Sequence, residues 1–159
     1  MRLRALAAVC LTVLAGGCGG SEKPKPAAAD TSEPDRRAIA EHVAGYLRAY
    51  ASGDGERACA ALTPELRERS DRLAAQRGFD GCAEVLRRVG PKLLAAPGPD
   101  ERARLLARIS DPSKVVVNLT GDTATAGIEP LRPGRETSQV GLSRRGDQWL
   151  IAELGLPAG

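Results

Sequence analysis

Val115-Val116-Val117-Asn118-Leu119-Thr120-Gly121-Asp122-Thr123-Ala124-Thr125-Ala126-Gly127-Ile128 is the stretch in which the chain passes from helical to extended periodicity. Val and Thr dominate its first six residues, and such β-branched side chains fit a pleated, half-buried surface. Gly121-Asp122 supplies a tight turn. Thr123 to Ile128 then alternates polar and apolar residues with period two, the pattern of a strand with one buried face. Downstream, Thr137 to Ser143 reads as a third strand with Val140 and Leu142 inward. Arg144-Arg145-Gly146-Asp147 turns into a fourth, Gln148 to Leu154, carrying Trp149 and Ile151 on one face. Between the second and third, Glu129 to Glu136 holds Pro130, Pro133 and Gly134 and is expected to be a loop.

Upstream of Asp111-Pro112 the spacing is helical. From Asp35 to Ser52 the apolar residues Ile39, Val43, Tyr46, Leu47 and Tyr50 recur at intervals of three and four, which places them on one face. Ser32 and Pro34 signal the start, and Gly53-Asp54-Gly55 ends this helix and begins a short one through Ala58, Cys59, Ala61 and Leu62. Thr63-Pro64-Glu65 is a restart, with Thr as N-cap and Pro at the first helical position. That helix is expected to reach about Gln76, with Leu66 and Leu73 inward, and to stop at Gly78. Asp80-Gly81 is expected to cap a further helix through Cys82, Val85, Leu86 and Val89, broken near Gly90-Pro91. Pro97-Gly98-Pro99 reads as a loop, and Asp100 to Arg108 as one or two more turns. Helices followed by an antiparallel sheet of about four strands make an α+β domain, assigned to residues 35–159.

The first residues carry an address. Arg2 and Arg4 precede an apolar run from Ala5 to Ala15, which is short for a bilayer span and fits the hydrophobic part of a signal peptide. It ends in Ala15-Gly16-Gly17-Cys18. This resembles the bacterial lipobox, in which small residues precede a cysteine that receives a diacylglycerol before cleavage; Leu usually stands three residues before that cysteine, where this chain has Ala15. The resemblance implies a signal peptide over residues 1–17, lipid on Cys18, and a membrane-anchored, extracytoplasmic protein. An ordinary secretory peptide and an uncleaved anchor are the alternatives. Residues 18–34 are rich in Gly, Pro, Ala, Ser and charge without a large apolar side chain, and they read as a tether that cannot offset its ordering entropy.

Loss of residues 1–17 would remove two arginines and no acid, lowering the formal net charge from +3 to about +1. Nothing in that balance points to nucleic acid, which calls for a clustered basic face. Four cysteines are present; Cys10 would leave with the signal and Cys18 would carry lipid. Cys59 and Cys82 remain as an even pair in an exported domain and read as a disulfide, with two free buried thiols or a redox pair as alternatives.

A second resemblance spans roughly residues 36 to 154. It rests on Tyr50-Ala51-Ser52-Gly53-Asp54 closing the first helix, then Cys59-Ala60-Ala61-Leu62-Thr63-Pro64, Gly121-Asp122-Thr123-Ala124-Thr125-Ala126 and Asp147-Gln148-Trp149-Leu150-Ile151. In this order they resemble small lipoproteins of the nuclear-transport-factor-2-like superfamily, also called SnoaL-like or cystatin-like. The resemblance implies a cone, a bent antiparallel sheet wrapped around the first helix and enclosing a pocket. Members include isomerases, dehydratases and cyclases beside many non-catalytic modules, so the fold implies no single function.

Candidate chemistry is sparse. His42, the single histidine, borders the apolar stripe of the first helix and could edge a pocket; a helix-surface role is the plainer reading. One histidine and two cysteines that read as a bridge leave no zinc set, and no cofactor is expected. The phosphate-cradling, dinucleotide-binding and nucleophile-elbow motifs are absent. Isomerases of the resembled fold use a buried carboxylate with Tyr or acid donors. Here those groups would be Glu153 or Glu129 with Tyr46 or Tyr50, and none matches a family motif residue by residue. Tyr46, Tyr50, Trp149, Glu153 and His42 are therefore the candidate pocket lining, with core packing as the simpler role for the aromatics. The expectation is a non-enzymatic, lipid-anchored binding or accessory module of the cell envelope. Its partner would be a small apolar molecule or an envelope protein; a small pocket enzyme and a purely structural surface protein are the alternatives.

Overall fold

The computed structural model describes residues 32–93, 98–128 and 139–155. The expected signal peptide, Cys18, most of the tether, Glu129 and the loop around it lie outside these residues. Five helices, α1 (Ser32–Ser52), α2 (Gly55–Ala60), α3 (Pro64–Ala75), α4 (Cys82–Leu93) and α5 (Pro99–Ile109), precede four strands, β1 (Val115–Thr120), β2 (Thr123–Ile128), β3 (Gln139–Arg145) and β4 (Gln148–Leu154). A single turn of 3-10 helix, Pro112–Lys114, leads into β1. The class is α+β.

Helix α1 begins at Ser32, three residues before the expected domain boundary at Asp35. Pro34 is tolerated there because a first-turn N–H has no intrahelical acceptor. Glu33 and Asp35 in that turn complement the positive helix end. The helix stops at Gly53, whose φ of 77° suits a residue without a Cβ. There the Gly53 and Asp54 N–H groups return to the carbonyls of Tyr50 and Ala49 at 3.2 and 2.8 Å. The Asp54 carboxylate then caps α2 by accepting from the Arg57 N–H at 3.1 Å. Thr63 caps α3 as its sequence position indicates, its hydroxyl accepting from the Leu66 N–H at 3.2 Å.

Three readings of the helical half need correction. The first N–H of α4 is capped from α3, by the Asp71 carboxylate at 2.7 Å from the Cys82 nitrogen. Glu84 reaches back to the Asp80 N–H at 2.7 Å instead of Asp80 reaching forward. Helix α4 also runs through Gly90-Pro91 to Leu93. It does so because it is seated directly on α1: a Cβ on Gly90 would lie 1.7 Å from the Tyr50 carbonyl oxygen, and the Pro91 ring packs where a Cβ on Gly53 would sit. Helix α5 is longer than expected, at 11 residues, yet none of its residues is buried.

The sheet is an open antiparallel meander in the order β1-β2-β3-β4. Register places Val117 opposite Ala126, Leu119 opposite Ala124, Ala124 opposite Leu142, and Leu142 opposite Ile151, all on the face toward α1. A register shift between Gly141 and Leu142 then sets Glu153 opposite Gly141, on the outer face. Ile39, Val43, Tyr46 and Ala49 of α1 pack with Ala124, Ala126, Leu142, Trp149 and Ile151 into one buried cluster, joined by Ala58, Cys59, Leu62 and Cys82 from the helical side. Burial of the larger of these side chains stabilises the fold by about 1.5–3 kcal/mol each. Beyond β4, the 61–63 segment adds a short parallel bridge: the Thr63 N–H donates to the Ile151 carbonyl at 2.8 Å, and the Ile151 N–H donates to the Ala61 carbonyl at 3.0 Å. This blunts the β4 edge.

The Cys59 and Cys82 side chains are joined in a disulfide with Cα atoms 6.2 Å apart. It ties α2 to the first residue of α4.

Candidate functional site

The inward face of α1 packs into the buried cluster that it shares with the sheet. Tyr46 is buried, and its ring is parallel to that of Tyr50 at 6.0 Å between centroids. Burial, with Tyr50 as a lesser contributor, pushes the Tyr46 phenol up to about 12. Burial also raises Tyr50. Both groups thus stay protonated, as donors rather than bases, throughout the physiological range. Trp149 is buried at the other end of α1, where its indole N–H donates to Asp35 Oδ1 at 3.3 Å. Arg144 donates to Oδ2 of the same carboxylate at 3.1 Å and lies over the Trp149 ring at 5.7 Å.

His42 is half-buried beside this core. Its Nε2–H donates to the Ala61 carbonyl at 3.0 Å, the same oxygen that accepts from the Ile151 N–H. The imidazole therefore locks the 61–63 segment against β4. Two open depressions of about 300 and 310 Å³ flank it, one reaching Tyr46 and Arg57, the other Trp149 and Asp147. So His42, Tyr46 and Trp149 edge concave surface, one depression lying between α1 and α2 and the other between α1, Ala60 and the start of β4. Glu153 is exposed on the outer sheet face, opposite Gly141. The strand register separates it from Tyr46 and Tyr50, so the carboxylate–tyrosine pairing that an isomerase-type site needs is not assembled from these residues.

A different place collects uncovered apolar surface. Helices α3 and α4 and the end of β4 enclose an open groove of about 170 Å³. Buried Leu62, Ala74 and Cys82 form its floor, Val85 and Leu86 its α4 wall, and Leu73 and Leu154 its rims. Leu73, expected inward, is 46% exposed, and Leu154 is 39% exposed. Helix α3 turns Ala74, not Leu73, to the core. Arg77 is the single charged residue among the described residues of the lining, and Ser70 spends its hydroxyl on the Leu66 carbonyl at 2.8 Å. Val89, the next turn of α4, is exposed as well. Helical periodicity marked Leu73, Val85, Leu86 and Val89 as a buried face, but amphipathicity alone does not say whether this chain supplies the cover.

Among the described residues no group of three His, Cys, Asp or Glu side chains could hold a metal ion. No described helix is long and apolar enough to cross a membrane. In comparisons with known proteins, no family model, curated protein or solved structure matches the chain.

Proposed function

We propose that the chain is a lipid-anchored, extracytoplasmic lipoprotein whose folded domain is a non-enzymatic binding module of the cell envelope. The observation that carries the binding part is the α3–α4 groove: an apolar concavity with two large, half-exposed leucines on its rims. The Met1–Cys18 pattern supports the address, and a disulfide across α2 and α4 suits an oxidising compartment. Helices ahead of an antiparallel sheet also agree with the class implied by the nuclear-transport-factor-2-like resemblance, which is part of the proposal and not its support.

The position of the groove within the domain suits this reading. Asp35 pins the start of α1 to Trp149 near the beginning of β4. Leu154 closes the same strand at its far end, roughly 15–20 Å away at about 3.3 Å per residue. The groove rim and the first turn of α1 thus stand at opposite ends of β4, and within the domain the groove shares no surface with that turn.

Cysteine labelling tests the location. In intact cells, Val116→Cys should react with a membrane-impermeant maleimide, since that position on β1 is half-exposed and lies at the sheet edge away from the groove. Reaction only after lysis would sink the extracytoplasmic reading.

A further inference from the structure

We infer that the groove docks an amphipathic helix of another envelope protein, one that presents a large apolar side chain with a carboxylate about one turn away. This rests on the binding-module reading and names the chemistry of the partner. The first argument is size. Pockets for small molecules usually hold about 300–1,000 Å³, whereas this groove holds about 170 Å³ and is open to solvent. A cavity of about 150 Å³ accommodates a single benzene ring, so one Leu or Phe anchor fits where a whole ligand would not.

The second argument is shape. Both long walls are helical, and each presents a ridge to the groove: Leu73 and Arg77 from α3 and its C-terminal turn, Val85 and Leu86 from α4. Ridges of this kind receive a third helix laid along the groove. Helix α4 has a well-segregated apolar face, yet Val85 and Leu86 are only half-buried and Val89 is exposed.

The third argument is charge. Arg72 and Arg88 on the same two helices are neutralised within their own helix, by Glu68 and Glu84. Among the described residues Arg77 has no carboxylate partner, and the described lining of the groove contains no acid. A helix carrying Asp or Glu beside its anchor would supply the missing charge. A second copy of this chain would not, because isologous pairing brings the same groove, whose described lining holds Arg77 and no acid. An anionic bilayer is also a poorer match. Membrane-surface segments carry clusters of about four to eight cations, whereas Arg77 is the one cation among the described residues that line the groove.

Fluorescence anisotropy tests the inference on the full chain carrying Cys18→Ser. The probe is a labelled helical peptide of about 14 residues with Leu at i, i+3, i+4 and i+7 and Glu at most other positions; its counterpart has Lys for Glu. The acidic peptide should bind saturably and at least about tenfold tighter than the basic one, and Leu73→Asp should weaken it by about tenfold or more. Arg77→Glu should reverse the charge preference. Both positions are exposed, and unchanged circular dichroism would show that the variants fold. Equal binding of the two peptides, indifference to Leu73→Asp, or no saturable binding would overturn the inference. So would Leu73-dependent adsorption to vesicles of equal phosphatidylglycerol and phosphatidylcholine, Leu73-dependent self-association, or peptide binding that appears only after residues 156–159 are removed. Maleimide labelling reports location alone, so failure there and failure here are distinguishable.

Discussion

Asp35 shows what a single residue does at the seam of this fold. One carboxylate accepts from both the Trp149 indole and the Arg144 guanidinium, and so fixes the start of α1 to the β3–β4 hairpin. In the sequence it is legible only as a first-turn acid, because its partners stand 109 and 114 residues away. Trp149 and Ile151 were legible, since alternation along one strand already separates their face from that of Gln148 and Leu150. Tyr46 carries a pH consequence. Its folded value of about 12 lies above the ordinary 10. The neutral phenol's contribution is thus fully present below about pH 10 and is lost as pH rises through the folded value, because the unfolded chain ionises first. The melting temperature of the native chain should fall more steeply between about pH 10 and 12 than that of Tyr46→Phe. Parallel curves would remove Tyr46 as the cause.

At the scale of elements, the close seating of α4 on α1 and α2 depends on two glycines. A Cβ on Gly90 would meet the Tyr50 carbonyl oxygen at 1.7 Å, and one on Gly55 would meet the Ala83 carbonyl oxygen at 1.9 Å. Neither contact can yield without moving backbone. A Cβ on Gly45, within α1, would meet nothing within 4 Å. Gly90→Ala should therefore lower stability by about 1–3 kcal/mol or more. Gly45→Ala should raise it by about 0.5–1 kcal/mol through helix propensity. Denaturant midpoints would compare the two, and equal shifts would contradict the packing. Gly53 and Gly90 both carry a break signal in the sequence, yet only at Gly53 does a helix end. At Gly90-Pro91 the local preference for a break is overridden by tertiary contact. Leu73 departs from its expected burial for the opposite reason: a helical stripe records that a face is apolar, not whether the chain itself covers it.

At the scale of the molecule, the class and strand order were legible because the period changes from helical to extended at Asp111-Pro112 and tight turns join β1 to β2 and β3 to β4. The disulfide followed from counting cysteines once export was assumed. The groove was not legible, since it arises where α3, α4 and the end of β4 converge, three segments without a shared motif. Anchor and groove divide the proposed work between them: lipid on Cys18 sets where the domain acts, and the α3–α4 surface is where it binds. A single acyl chain holds a protein only marginally at a membrane, whereas the multiple chains of a lipidated cysteine hold it stably. Detergent-phase partitioning of the chain expressed in bacteria, beside its Cys18→Ser variant, is the most direct measurement. The native chain should enter the detergent phase shortened by residues 1–17, whereas the variant should keep those residues; if the native chain stays aqueous, or keeps residues 1–17, lipid anchoring through Cys18 is contradicted.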